Sequence, residues 1–178
     1  LNAHKVDDPA TIAAERIAAG EVVGWFQGRG EYGPRSLGNR SILADPRTNA
    51  SKQRINQVLK RREWFMPYAP AILVEEFKAW TTCATSNSPY MQIAVDVAQQ
   101  KKYLIPAAVH VDGTSRFQTV DRELNHDFWR LIKSFQDITQ IPIVLNTSFN
   151  RHGIATISHP RQAIEHLLEG CIDTLIID

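Results

Sequence analysis

Residues 21–40 read EVVGWFQGRGEYGPRSLGNR, an apolar run that breaks into a loop of glycine and arginine. The opening EVVGWFQ, with paired β-branched residues and two aromatics, reads as a buried strand. Residues 28–40 hold four glycines, one proline and three arginines, and Leu37 is their one aliphatic side chain. Gly28, Gly30 and Gly33 carry the spacing of a dinucleotide-binding turn. Such a turn needs a helix starting at the third glycine, so that its first amides meet a pyrophosphate. Here Pro34 follows, and Gly38 would lie inside that helix at a cost of about 1 kcal/mol relative to alanine. The strand-end acid expected about 20 residues on is also missing. The dinucleotide reading is therefore disfavoured. Two others stay open: a solvated turn with incidental arginines, or a cradle for a small polyanion. Glycine lets main-chain amides approach closely and the arginine fork matches phosphate oxygens, which suits the second.

Charge is unevenly placed. Between Gly28 and Arg62 nine Lys and Arg face Glu31 and Asp45, a local balance of +7 that leaves −6 for the rest of a chain whose total is +1. A cationic patch on an acidic body points to a localised anion site, whereas a nucleic-acid domain is more often basic throughout. The 178 residues suffice for one well-buried core. No apolar run approaches the ~20 residues of a membrane span, and the first twenty residues do not read as a secretory signal. Cys83 and Cys171 match no metal or redox spacing and are expected as reduced thiols in a cytoplasmic protein.

Helices are expected over residues 8–19, capped by Asp7 or Asp8 with Pro9 in the first turn, and over residues 50–60, with Ile55, Val58 and Leu59 facing inward. Two more are expected over residues 124–138 and 160–169. Strand patterns fall at residues 41–44, 69–74, 91–97, 107–111, 141–145 and 174–177. The mixed order favours an α/β or α+β sandwich, read as a single domain over residues 1–178. The opening without methionine and the closing strand suggest a piece of a longer chain.

Three further clusters carry polar chemistry. Lys60-Arg61-Arg62-Glu63 runs into WFMPYAP; cations suit a helix C-terminus, but an aromatic and proline-rich wall beside them also suits a site. LNTSFN at residues 145–150 follows the apolar IPIV and would deliver amides and hydroxyls to a strand end, or simply make a turn. VDGTSRFQTV at residues 111–120 reads as a hairpin turn at Asp112-Gly113, with Arg116 and Gln118 on one face of the outgoing strand. The histidines show no metal spacing, and neither a P-loop nor a nucleophile elbow is present.

Together these stretches, GRGEYGPRSLGNRSILADPR, KRREWFMPYAPAIL, VDGTSRFQTV and LNTSFNRHG, resemble the C-terminal domain of the NodU/CmcH family of O-carbamoyltransferases. Ser36 stands where that family usually has alanine. The resemblance implies a YrdC-like fold, a twisted mixed sheet around a basic cavity, whose split K-x-R and S-x-N signature corresponds to Lys60–Arg62 and Ser148–Asn150. It implies an enzyme that binds ATP and carbamoyl phosphate and forms carbamoyl-adenylate, with Arg35, Lys60 and Arg62 as catalytic groups. Arg40, Arg116, Asn146, Ser148 and Asn150 join these three in holding substrate. Mg2+ is expected with the ATP, and no metal ligand is expected in this chain. Iron belongs to an N-terminal domain of the same polypeptide, the expected partner that carries the carbamoyl group to an acceptor hydroxyl. The alternatives are an RNA-binding module of the same fold type and a non-catalytic docking domain.

Overall fold

The computed structural model describes residues 3–60 and 66–178. Helix α1 spans Pro9–Ala18, and Asp8 caps it by accepting from the Thr11 amide at 3.1 Å. Strand β1 spans Val23–Phe26 and β2 Arg40–Ala44, followed by helix α2 at Asn49–Ile55. Strand β3 is Pro70–Leu73, and the one-turn helix α3 is Phe77–Trp80. The short strands β4, Val95–Asp96, and β5, Thr114–Ser115, pair with each other. Then come β6 at Gln118–Val120, α4 at His126–Thr139, β7 at Ile143–Ser148, α5 at Pro160–Leu168 and β8 at Thr174–Ile177. Six strands form one mixed sheet in the order β6-β3-β7-β2-β1-β8, in agreement with the expected sandwich. β1–β8 and β3–β6 are parallel pairs, while β1–β2, β2–β7 and β3–β7 are antiparallel.

Both faces of the sheet are covered, which is why β1, β2 and β3 are buried at every position. On one face α1 packs on α4 through Ala10, Ala13, Ala14 and Ile17 against a stripe of Phe128, Leu131, Ile132 and Phe135. On the other, Gly24 leaves room for its neighbours: a Cβ there would lie 2.5 Å from Ile172 Cδ1 and 2.7 Å from Phe149 Cζ. Phe149 in turn meets His166 of α5 edge-on, with ring centroids 5.4 Å apart. Trp25, the next residue, points to the α4 side, because strand side chains alternate.

Three expected elements differ. The helix over residues 50–60 is α-helical only to Ile55 and continues as a π-helix, Asn56–Lys60. The wider π turn moves Val58 off the inner stripe, so it is exposed while Ile55 and Leu59 are buried. Residues 91–97 contribute only β4, because Met91 sits at φ 54, a left-handed conformation foreign to strands. Residues 107–111 are no strand: the Ala107 amide donates to Pro46 O at 3.2 Å, and β5 pairs with β4 instead. The Asp112-Gly113 turn does form, with Gly113 at φ 84 and the Thr114 amide donating to Asp112 Oδ1.

Candidate functional site

The 28–40 loop is folded around its own acid. Glu31 Oε1 accepts from the amides of Leu37 at 2.8 Å, Asn39 at 2.7 Å and Arg40 at 3.2 Å. Arg40 closes the loop's ends. Its Nη1 donates to Gln27 O at 2.7 Å and Asn39 O at 3.0 Å, and its Nη2 to Gly28 O at 2.8 Å. The guanidinium lies 3.6 Å from the Phe26 ring centroid and is almost wholly buried. Burial pulls its pKa down, opposed by nearby Glu31.

The loop is then docked on the sheet by two amide side chains. β7 runs beyond the apolar segment, so Asn146 and Ser148 sit on the ladder opposite Leu43 and Ser41. Asn146 Nδ2 donates to Ser36 O at 3.1 Å and to Gln118 Oε1 at 2.8 Å, while Gln118 Nε2 donates to Leu37 O at 2.7 Å. This places residues 34–36 beside residues 146–148 with a hollow of about 40 Å³ between them, room for a group the size of a few waters. Ala69, Met91 and Arg116 complete its lining. Among the described residues, none that lines it is acidic. Arg35 is exposed at the hollow and Arg116 is half-buried. Ser36 Oγ and Asn146 Oδ1 are buried there and accept or donate no hydrogen bond among the described residues.

Lys60 reaches the same strand end from the π-helix. Its buried Nζ donates to Ser148 O at 2.7 Å, Ser148 Oγ at 3.2 Å, Asn150 O at 2.8 Å and Asn150 Oδ1. Ser148 Oγ donates to Asn150 Oδ1 at 2.7 Å, so the three residues form one knot. Of the residues singled out in the sequence, Arg35, Arg116, Asn146 and Ser148 line the hollow, while Lys60 and Asn150 brace it from behind Ser148. Arg40 stands apart, its guanidinium turned to main-chain carbonyls. Arg62 lies outside the described residues.

Sequence reasoning missed Glu31 as the pin of the loop, Met91 and Ala69 as walls, and Lys52. Burial pushes the pKa of His110 down; Asp112 raises it, and the charges of Arg116 and Lys52 lower it further. Lys52 is therefore a further cation in this region, while the same influences hold His110 towards its neutral form. Only the charge count over residues 28–62 hinted at Lys52. Among the described residues no group of three or more His, Cys, Asp or Glu is placed to hold a metal, and no helix is long and apolar enough to cross a membrane.

Known proteins share both the sequence and the architecture. Nodulation protein NolNO of Sinorhizobium fredii is 43% identical over 179 residues, covering 99% of this chain and 26% of that protein. The 3'-hydroxymethylcephem-O-carbamoyltransferase of Streptomyces clavuligerus is 37% identical over 150 residues, covering 84% and 28%. The chain thus spans about a quarter to a third of the length of the curated relatives it matches. Among solved structures, full-length HypF in its phosphate- and nucleotide-bound form matches 99% of this chain and 22% of that one, with a TM-score of 0.70 at 14% identity. P. abyssi Sua5 complexed with L-threonine matches 98% of this chain and 48% of that one, with a TM-score of 0.67 at 14% identity. These likenesses establish the YrdC-like fold. The sequence model of the carbamoyltransferase C-terminus matches residues 14–178, and the chain belongs to that family.

Proposed function

We propose that this domain binds ATP and carbamoyl phosphate and forms carbamoyl-adenylate, which another part of the same polypeptide passes to an acceptor hydroxyl. The observation that carries the reading is the convergence of Arg35 and Arg116 with Ser148 on one hollow. Two guanidiniums and nearby hydroxyls around one small hollow suit a phosphorylated ligand. Family membership and the name of the Streptomyces clavuligerus carbamoyltransferase support a carbamoyl group as the moiety handled, and carbamoyl phosphate is its phosphorylated form.

The chemistry requires no protein nucleophile. Water releases inorganic phosphate from carbamoyl phosphate and leaves carbamate. A carbamate oxygen then attacks the α-phosphorus of ATP, and pyrophosphate departs. Such displacements depend on alignment and on stabilising the charge that develops on phosphoryl oxygens. Arg35 and Arg116 are placed to supply that stabilisation. Lys60 acts through Ser148 and Asn150, fixing where their oxygens stand. No carboxylate is among the described residues of the lining, so these do not supply a Mg2+ site, and no step above depends on one.

The test is carbamoyl-phosphate-dependent exchange of pyrophosphate into ATP by the full-length protein. Arg35→Ala and Arg116→Ala are each expected to lower the exchange rate by about 10²-fold. Full rates in both variants would refute the site, and no exchange in the unmodified protein would refute the reaction.

A further inference from the structure

We infer that Asn146 selects the carbamoyl group, its Oδ1 accepting from the ligand's –NH2, so that the hollow discriminates against acyl phosphates lacking that donor. The inference rests on the proposed use of carbamoyl phosphate and adds to it the residue that reads the acyl end.

Two main-chain carbonyls decide the orientation of the Asn146 amide. A carbonyl can only accept, so the group of Gln118 that faces Leu37 O at 2.7 Å is its Nε2. Gln118 Oε1 is thereby turned to Asn146, 2.8 Å away, and must meet a donor. Ser36 O, 3.1 Å away on the same nitrogen, demands a donor too. Both hydrogens of Asn146 Nδ2 are used, and its Oδ1 is the group left over. Flipping the amide would set oxygen against two acceptors. The orphan is therefore an acceptor by construction, on a residue that is 2% exposed and lines the hollow.

A buried amide oxygen without a partner is unusual and calls for a donor from a ligand. Phosphate fully ionised offers none. The neutral –NH2 of a carbamoyl group offers two, on a ligand whose other end is the anion that Arg35 and Arg116 attract. The hollow thus pairs a cationic side with one fixed acceptor, the complement of H2N–CO–O–PO3. Acetyl phosphate has nearly the same shape but sets a methyl group against Oδ1. Sites built to hydrogen-bond a ligand group reject the isostere without it, because the protein atom stays desolvated and unpaired.

The experiment measures the affinities of carbamoyl phosphate, acetyl phosphate and inorganic phosphate for the full-length protein by calorimetric titration. Carbamoyl phosphate is expected to bind at least about 10-fold more tightly than acetyl phosphate. In Asn146→Ala that ratio is expected to fall close to one while inorganic phosphate still binds. Should the alanine variant fail to fold, the comparison in the unmodified protein decides alone. Equal affinity there for the two acyl phosphates, with phosphate bound, would overturn the role of Asn146 and leave the anion site standing. Binding of none of the three would overturn both.

Discussion

The packing of the arginine loop on α4 can be tested with two glycines of nearly identical backbone conformation. Gly33 has φ +117 and Gly38 φ +113, both in the region that L side chains avoid. Alanine at either should carry a similar backbone strain, about 1–2 kcal/mol. Their surroundings differ. A Cβ on Gly33 meets nothing within 4 Å, whereas on Gly38 it would stand 2.3 Å from Phe128 Cδ1, 2.7 Å from Cγ and 3.0 Å from Cε1. Phe128 is fully buried in the α4 stripe, and Gly38 O is held by Trp25 Nε1 at 2.8 Å, so neither side can yield cheaply. Overpacking of this kind adds about 1–3 kcal/mol. Gly33→Ala should therefore cost about 1–2 kcal/mol and Gly38→Ala about 2–5 kcal/mol. Urea unfolding reads the difference as a lower midpoint at unchanged slope. Combining Gly38→Ala with Phe128→Leu should cost less than the sum of the two, because the smaller side chain relieves the overlap. Equal midpoints for Gly33→Ala and Gly38→Ala would show that the loop does not lie on α4, and the placement of Arg35 would fall with it.

Glu31→Ala removes the acceptor of three amides; it should destabilise by about 1–2 kcal/mol and speed hydrogen exchange at Leu37 and Asn39, and unchanged exchange there would refute the pin. Lys60→Met should cost about 1–3 kcal/mol by orphaning the Ser148 and Asn150 oxygens and should weaken phosphate binding. Lys60→Arg should not restore either, since a planar fork cannot converge on acceptors grouped around one ammonium; full rescue by arginine would contradict the knot. His166 is buried, its Nδ1 2.7 Å from Gln162 O, and burial holds its pKa below the usual 6.5. The unfolded ring binds a proton more readily, so stability is full above about pH 6.5 and is lost as pH falls through that value towards the lower folded pKa. His166→Gln should flatten the fall of the melting temperature between pH 7 and 5, leaving the slope due to His110, which shifts the same way. An unchanged slope would refute the role of His166.

The elements that were legible in the sequence are those whose burial is periodic and local. α1 and α4 announce themselves through apolar residues three and four apart, and β1 and β7 through short continuous apolar runs. What escaped was non-local. Residues 107–111 are apolar because they pack under the fold, with Ala107 and Ala108 fully buried, and burial alone does not distinguish a strand from a packed turn. The π turn before Lys60 leaves no mark in the residue pattern, because it exists to aim one ammonium at β7. The hollow could be assembled from the sequence only through the family resemblance. Ser36 and Asn146 are 110 positions apart, and the bond that joins them uses a main-chain carbonyl, a group every residue has.

The cations of the segment picked out by the charge count have more than one use. Its nine cations suggested one anion site, yet several serve the fold. Arg40 ties the loop's ends, Arg47 grips Asp45 at 2.6 Å and donates to Ala18 O, Arg54 pairs with Asp173, and Lys60 binds the end of β7. Composition cannot separate these uses, because a guanidinium fork suits two carbonyl oxygens as well as two phosphate oxygens. Geometry does separate them. Arg47 and Arg54 pair with carboxylates, and Arg40 and Lys60 donate to oxygens of the fold, whereas Arg35 and Arg116 line the hollow. The structural cations still shape the hollow at one remove. Arg40 and Glu31 tie the loop together, and Lys60 ties the end of β7 to Asn150. Arg35 and Ser148 line the same hollow while these other charges are committed to the fold.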